Sequence, residues 1–327
     1  MLRLQQQVLQ TALQWLRQEK PCWLATICHT YGSSPRPVGS LMACNIDGIV
    51  VGSLSGGCIE EELLKSIIHL PEYQKQPCWV LYPQNNKNDT QYQLPCGGKL
   101  KILLEPLFLH QLSHFESLLA SLRNREITQR CVDIPSGKMQ LKSTSSSGLE
   151  ATETQLRHTL LPHHRLLIIG INPVSLYVAE IANSLDFQVT LCEPRRDFHK
   201  HWHPENLPDI TFTEKLPDDV VRAGFNDHFS AIVALAHDPR VDDMALMEAL
   251  TSNAFYVGAM GSQNTTKKRK ERLQELGITK TQIATLHAPI GLTIGSKTPI
   301  EIAISIAAEL TLTRNAARNT ERASSHE

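Results

Sequence analysis

Short apolar runs alternate with helical segments through the second half of this chain, and that alternation restricts the fold more than any other feature. "HRLLIIG" (His164–Gly170) has the pattern of a buried strand, residues 173–186 are helical in periodicity, and "FQVTLCEPR" (Phe187–Arg195) returns as strand. "SAIVALA" (Ser230–Ala236) precedes a helix through Asp242–Leu250, and "AFYVGAMG" (Ala254–Gly261) precedes a charged helix. Strands and helices in alternation predict an α/β, doubly wound parallel sheet with helices on both faces. A last helix opens at "SKTPIEIAISIAAEL", with Thr298 as N-cap, Pro299 at the first position and Glu301 at the third. It is apolar nearly all round, which predicts burial.

The first half mixes strands, hairpins and helices. "CWLATICHT" (Cys22–Thr30), "SLMACN" (Ser40–Asn45) and "GIVVGS" (Gly48–Ser53) read as strands, with Asp47-Gly48 as a hairpin turn. A helix over Cys58–Leu70, strands "CWVLY" and "KLKILLEP", a helix at "HFESLLASLRNR" and a strand at "TQRCVDI" complete an α+β pattern. From Pro135 to Thr154, serine, threonine and glycine dominate and apolar periodicity is poor. The expected organisation is an α+β domain over 1–134, a linker over 135–160, and the parallel-sheet domain over 161–327.

A chain of 327 residues favours two domains. Its 32 basic and 33 acidic residues exclude the concentrated positive field that bulk nucleic-acid binding needs. The one basic run, "KKRKER" (Lys267–Arg272), reads as the solvated face of a helix with Leu273 and Leu276 on its apolar side. No apolar run is long enough for a membrane span. The opening "MLRLQQQVLQTALQWLRQ" reads as an amphipathic helix rather than a signal peptide, so a cytoplasmic location is expected. Eight cysteines without a C-x-x-C pair argue against a zinc or thioredoxin-type site.

A dinucleotide-binding turn has the form G-x-G-x-x-G. Here the turn reads "GINPVS": Gly170 fills the first slot, while Asn172 and Ser175 replace the second and third glycines. The acidic residue expected about twenty positions on is Glu193. The scaffold matches and the phosphate-binding surface does not, so intact NAD(P) binding is not expected. "HDPRVDD" (His237, Asp238, Asp242, Asp243) reads as a loop with an N-capping aspartate in preference to a metal or acid–base site. "GAMGS" offers Gly258, Gly261 and Ser262 either as backbone donors to an anion or as a tight turn with Ser262 as N-cap. Lys297 lies in a glycine- and proline-rich loop without obvious catalytic chemistry.

Two glycine–cysteine turns stand out in the first half: Gly56-Gly57-Cys58 and Cys96-Gly97-Gly98. Glycine pairs permit close backbone approach, and deprotonated cysteines are soft donors. The turns could converge on a sulfur-rich or metal-bearing ligand, or each cysteine could be a small buried residue. Cys58 opens a helix whose first turn carries Glu60, Glu61 and Glu62, favourable for the helix dipole and unfavourable for a phosphate guest. Upstream, "TYGSSPRPVGS" supplies hydroxyls from Ser33 and Ser34 and holds Arg36 between two prolines. An arginine suits phosphate through its paired donors.

These stretches together resemble the XdhC/CoxI family, the molybdenum-cofactor insertion factors of xanthine dehydrogenase-type hydroxylases. The likeness runs through "GSSPRPVGSLM", "GIVVGSLSGGCIEEEL" and "LPCGGKLKILLEPL", then "LLIIG", "CEPR" with Arg195, "YVGAMGS" and "HAPIGLTIGSKTPIEIAISIAAELT". The resemblance implies an N-terminal XdhC domain followed by a Rossmann-like domain. It implies a non-enzymatic carrier that binds sulfurated molybdenum cofactor, as molybdopterin or its dinucleotide form. That carrier meets a cysteine desulfurase and inserts the cofactor into an apo molybdenum hydroxylase. By motif position, Cys58 and Cys96 are implied as contacts to the molybdenum or its sulfido ligand, and Glu60 is a candidate acceptor for a pterin amine. Relatives commonly have "GAGHVG" at "GINPVS" and an aspartate at Glu193; "HDPRVDD" keeps the family's His237 and Asp238. The alternatives are an NAD(P)-dependent oxidoreductase built on the second half and a ligand-free docking scaffold. A carrier with two docking events also suggests a homodimer.

Overall fold

A computed structural model describes residues 2–32, 36–56, 58–69, 75–82, 99–144, 148–201 and 207–323. The chain forms two compact units, Met1–Pro162 and His163–Glu327.

In the first unit, α1 (Leu2–Arg17) leads into β1 (Cys22–Tyr31), β2 (Leu41–Asn45), β3 (Val50–Gly52), α2 (Cys58–His69), β4 (Cys78–Tyr82) and β5 (Lys99–Leu107). Among the described residues these strands pair antiparallel in the order β3-β2-β1-β5-β4. Alternate residues of β1 face opposite sides, as the two-residue strand period requires. Trp23, Ala25 and Ile27 join Ile59, Leu63 and Ile67 of α2 in one core. Leu24 and Cys28 join Val8, Leu9 and Leu16 of α1 in the other.

That second core also takes in α3 (Leu112–Arg123) and a four-stranded antiparallel sheet. Its strands are β6 (Thr128–Asp133), β7 (Met139–Ser143), β8 (Leu149–Ala151) and β9 (Gln155–Leu160), in the order β7-β6-β9-β8. The segment expected as a linker over 135–160 is therefore mostly sheet. Its strands are polar because their outer faces meet water, while Met139, Leu156 and Leu160 turn into the core. Arg130 of β6 reaches Glu105 of β5 in a fully buried two-bond ion pair, Nη1 to Oε2 at 2.7 Å and Nη2 to Oε1 at 2.8 Å.

The second unit holds β10 (Arg165–Ile169), α4 (Pro173–Ser184), β11 (Gln188–Cys192), β12 (Thr211–Thr213), α5 (Pro217–Gly224) and β13 (Ser230–Ala234). There follow α6 (Pro239–Ala249), β14 (Tyr256–Ala259), α7 (Gln263–Glu275), α8 (Lys280–Ala284), β15 (Leu286–His287) and α9 (Pro299–Ala323). The strands are all parallel in the order β12-β11-β10-β13-β14-β15. Counted from β10, this is the Rossmann order, with its direction reversing between β10 and β13. Leu167 and Ile169 pack towards α5, α6 and α7, and Leu166 and Ile168 towards α4 and α9.

Two local expectations are corrected. The basic run is not wholly solvated. Arg269 is buried, donating to Asp242 at 3.1 Å, Asp243 at 3.3 Å and the Met260 carbonyl at 2.9 Å, while Leu276 is exposed. Nor is α9 buried all round. Ala303, Ile306 and Leu310 are buried, but Ile300, Ile304 and Leu312 face solvent.

Candidate functional site

The glycine turn after β3 is built around Glu60. Gly52 has φ +89°, and a Cβ there would lie 2.4 Å from the Leu41 carbonyl oxygen, so only glycine fits. The chain then wraps the carboxylate. Glu60 Oε1 accepts from the backbone N–H of Leu54 at 2.8 Å, Ser55 at 2.9 Å and Gly56 at 3.1 Å, and from Ser53 Oγ at 2.8 Å. Oε2 accepts from Ser55 Oγ at 2.6 Å. Successive N–H groups converging on one oxygen form an anion nest, and here its anion is internal. Burial pushes this carboxyl up; the hydrogen bonds from Ser55, Leu54 and Ser53 outweigh it and bring it down to about 2. Glu60 is thus engaged within its own loop through both carboxylate oxygens. It fixes the approach to Cys58, the first residue of α2.

The arginine loop is anchored at its return. Gln5 Nε2 donates to the Gly39 carbonyl at 2.6 Å, Gly39 N–H donates to the Ile27 carbonyl at 2.8 Å, and Ser40 Oγ donates to the Pro37 carbonyl at 2.7 Å. Arg36 is half-buried on this loop. Ser33, Ser34, Gly57, Cys96, Gly97 and Gly98 lie outside the described residues. Among the described cysteines, Cys22, Cys28, Cys44 and Cys192 are buried, and burial pushes their thiols up to about 12. Such thiols stay protonated and inert at neutral pH.

In the second unit, Gly170, Glu193, Arg195 and His237 gather at the carboxyl ends of β10, β11 and β13, where ligands enter such sheets. The turn is closed by its own side chains. Asn172 caps α4, its Oδ1 accepting from Val174 N–H at 3.0 Å and Ser175 N–H at 3.1 Å, while its Nδ2 donates to the Leu235 carbonyl at 2.6 Å. Ser175 Oγ accepts from Asn172 N–H at 2.8 Å. The donors that would meet a pyrophosphate are already taken.

Glu193 is fully buried. Its Oε2 accepts from Ile171 N–H at 3.0 Å and from Arg195 Nη2 at 2.7 Å, and its Oε1 accepts from Arg195 N–H and Nε. Burial pushes the carboxyl up, and these bonds prevail to hold it below the usual carboxylate range. Arg195 also lies 3.9 Å over the Phe198 ring and 3.8 Å from Asp238.

Asp238 caps α6 by accepting from Arg240 N–H at 3.0 Å, as the sequence suggested. His237 is exposed with φ +57°. Gly258 makes room: a Cβ there would meet Ile290 at 2.6 Å and Tyr256 at 2.8 Å. Ser262 Oγ accepts from Thr265 N–H at 3.1 Å and caps α7. Sequence reasoning missed the group formed by Tyr256, His287 and Glu309. Its available signal was a single glutamate, Glu309, within the apolar run of the last helix.

The family model described as the XdhC Rossmann domain matches residues 166–310, and that of the XdhC and CoxI family matches residues 15–72. The chain belongs to the XdhC/CoxI family. Among relatives of this XdhC chain is a probable xanthine dehydrogenase subunit of Bacillus subtilis, 24% identical, with 91% of this chain and 95% of that one aligned. Another is the molybdenum cofactor insertion chaperone PaoD of Escherichia coli, 24% identical, with 94% and 88% aligned. A crystal structure from Bacillus halodurans described as a xanthine dehydrogenase shares the fold, with a TM-score of 0.73 at 24% identity over 94% of this chain and 95% of that one. The XdhC Rossmann match spans β10 to the first half of α9, and the N-terminal match spans the arginine loop and the Glu60 nest.

Proposed function

We propose that this XdhC protein binds molybdenum cofactor, protects its sulfurated form, and inserts it into an apo molybdenum hydroxylase after a cysteine desulfurase has acted. The observation that carries this reading is the Glu60 nest, which holds the turn leading into α2, the helix that Cys58 opens, within the family's N-terminal motif. The donor chemistry is compatible. Four described thiols are held protonated by burial, and no described group of three or more histidines, cysteines or carboxylates could enclose a metal ion. A carrier that contacts molybdenum through one or two cysteines needs no such enclosure. Cys58 and Cys96 remain the candidates, with Arg36, Ser33 and Ser34 as candidates for the phosphate. When bound, the cofactor supplies the dithiolene-held molybdenum; the protein supplies thiol contact, backbone approach and exclusion of water.

The oxidoreductase alternative has weaker support. At the dinucleotide turn Asn172 occupies the helix cap, and Glu193 is committed to Arg195 and Ile171. No NADH-dependent change in nicotinamide fluorescence is expected.

The test compares the protein with its Cys58→Ala and Cys96→Ala variants. Molybdopterin retained after purification is measured by fluorescence of its oxidised form, alongside reconstitution of an apo-hydroxylase. Loss of both in at least one variant is expected. Retention and reconstitution unchanged in both would sink the thiol role.

A further inference from the structure

His287 ends β15 at the edge of the parallel sheet. Its ring stacks on Tyr256 with centroids 4.4 Å apart and planes 27° from parallel. Its Nδ1 lies 3.0 Å from Glu309 Oε1 on α9. Glu309 Oε2 accepts from Tyr256 Oη at 2.6 Å and from Gly291 N–H at 2.7 Å. A backbone N–H can only donate, so Glu309 serves as an acceptor on that side. Burial pushes its carboxyl up, but His287, Tyr256 and Gly291 together hold it below the usual range. An ionised carboxylate accepts on both oxygens, which places a proton on His287 Nδ1, so that in the neutral ring the lone pair lies on Nε2.

The loop that follows is clamped. Gly291 has φ +95°, a Cβ there would lie 2.1 Å from Ser305 Oγ, and that hydroxyl donates to the Leu292 carbonyl at 2.8 Å. The His287 side chain remains about one-third exposed, while Tyr256 is buried.

We propose that Tyr256, Glu309 and His287 form a ligand-binding site whose acceptor, Nε2 of His287, takes an N–H donor from a nitrogen heterocycle. The flat imidazole keeps its lone pair in the ring plane, which matches an in-plane N–H of a lactam or aminopyrimidine ring. A neutral imidazole in this tautomer presents no N–H at Nε2 to a phosphate. The choice of ligand rests on the cofactor-carrier reading, whose guest offers two such rings, the pterin and the base of a dinucleotide form. The tautomer assignment is independent of it.

Nitrogen-15 spectra of the histidine-labelled full chain test both parts. His287 Nδ1 is expected in the protonated range and Nε2 in the lone-pair range. Neopterin should move Nε2 if the pterin is the partner, and CMP or GMP should if the base is. Glu309→Gln should mix the tautomers and weaken binding about tenfold, the usual scale for losing an orienting carboxylate. His287→Gln should remove the response with the circular dichroism unchanged. A protonated Nε2 in the free protein overturns the site. So does a His287 signal unmoved by any of these probes. If the purified protein retains molybdopterin while His287 stays silent, this proposal falls and the carrier function stands. If it retains none but His287 answers a heterocycle, the site stands and the carrier reading falls.

Discussion

Glu60 shows how a residue can be read correctly in type while its local partners stay hidden. Three carboxylates in the opening turn of a helix pointed to dipole stabilisation, and Glu60 does sit in the first turn of α2. Its bonds to residues 53–56 depend on the reverse bend of that loop, for which the string of letters has no marker beyond Gly52 and Gly56. The same bonds make a pH prediction. The folded-state value of about 2 lies below the ordinary 4.5, so its stabilisation is full above that ordinary value. It is lost as pH falls from there towards about 2. Glu60→Gln should lower stability by roughly 1–3 kcal/mol at neutral pH, the cost of leaving buried donors poorly met. It should also flatten the acid limb. Urea titrations between neutral and acid pH check both; parallel curves for the two proteins would refute the assignment.

At the scale of elements, the strongly periodic segments were legible and the polar ones were not. The N-cap, proline and Glu301 pattern of α9 appears as read, with Glu301 Oε2 accepting from Lys297 and Thr298 N–H. The strands of the parallel sheet from β10 to β14 were legible except β12, a three-residue strand without an apolar run. Helix α5 was missed because its eight residues offer barely two turns of periodicity. The basic run concealed Arg269, because a charged letter does not reveal that Asp242 and Asp243 wait on α6. A similar long-range pairing joins β5 to β6 through Glu105 and Arg130. Arg130→Ala or Glu105→Ala should each cost about 3–5 kcal/mol by stranding a buried charge. A double substitution to apolar residues of similar volume should recover much of that loss. Chemical denaturation of the three variants decides it; single variants at wild-type stability would mean the pair is dispensable.

For the whole molecule, the decisive correction concerns residues 135–160. Strands β7 to β9 cover the core that α1 and α3 share with the five-stranded sheet, so the first unit extends to Pro162. A fragment of residues 1–162 should fold, with a cooperative melt by circular dichroism. One ending at residue 134 should not, because Met139, Leu156 and Leu160 leave that core. A cooperative melt for the shorter fragment would restore the linker reading.

The closed turn of the second unit has a bearing on redesign. Asn172 and Ser175 hold each other, and Glu193 holds Arg195 and the Ile171 N–H, so replacing any one of them leaves polar groups without their partner. A redesign that opens this turn to a phosphate would therefore have to change both pairs together, since each single replacement passes through a less stable protein.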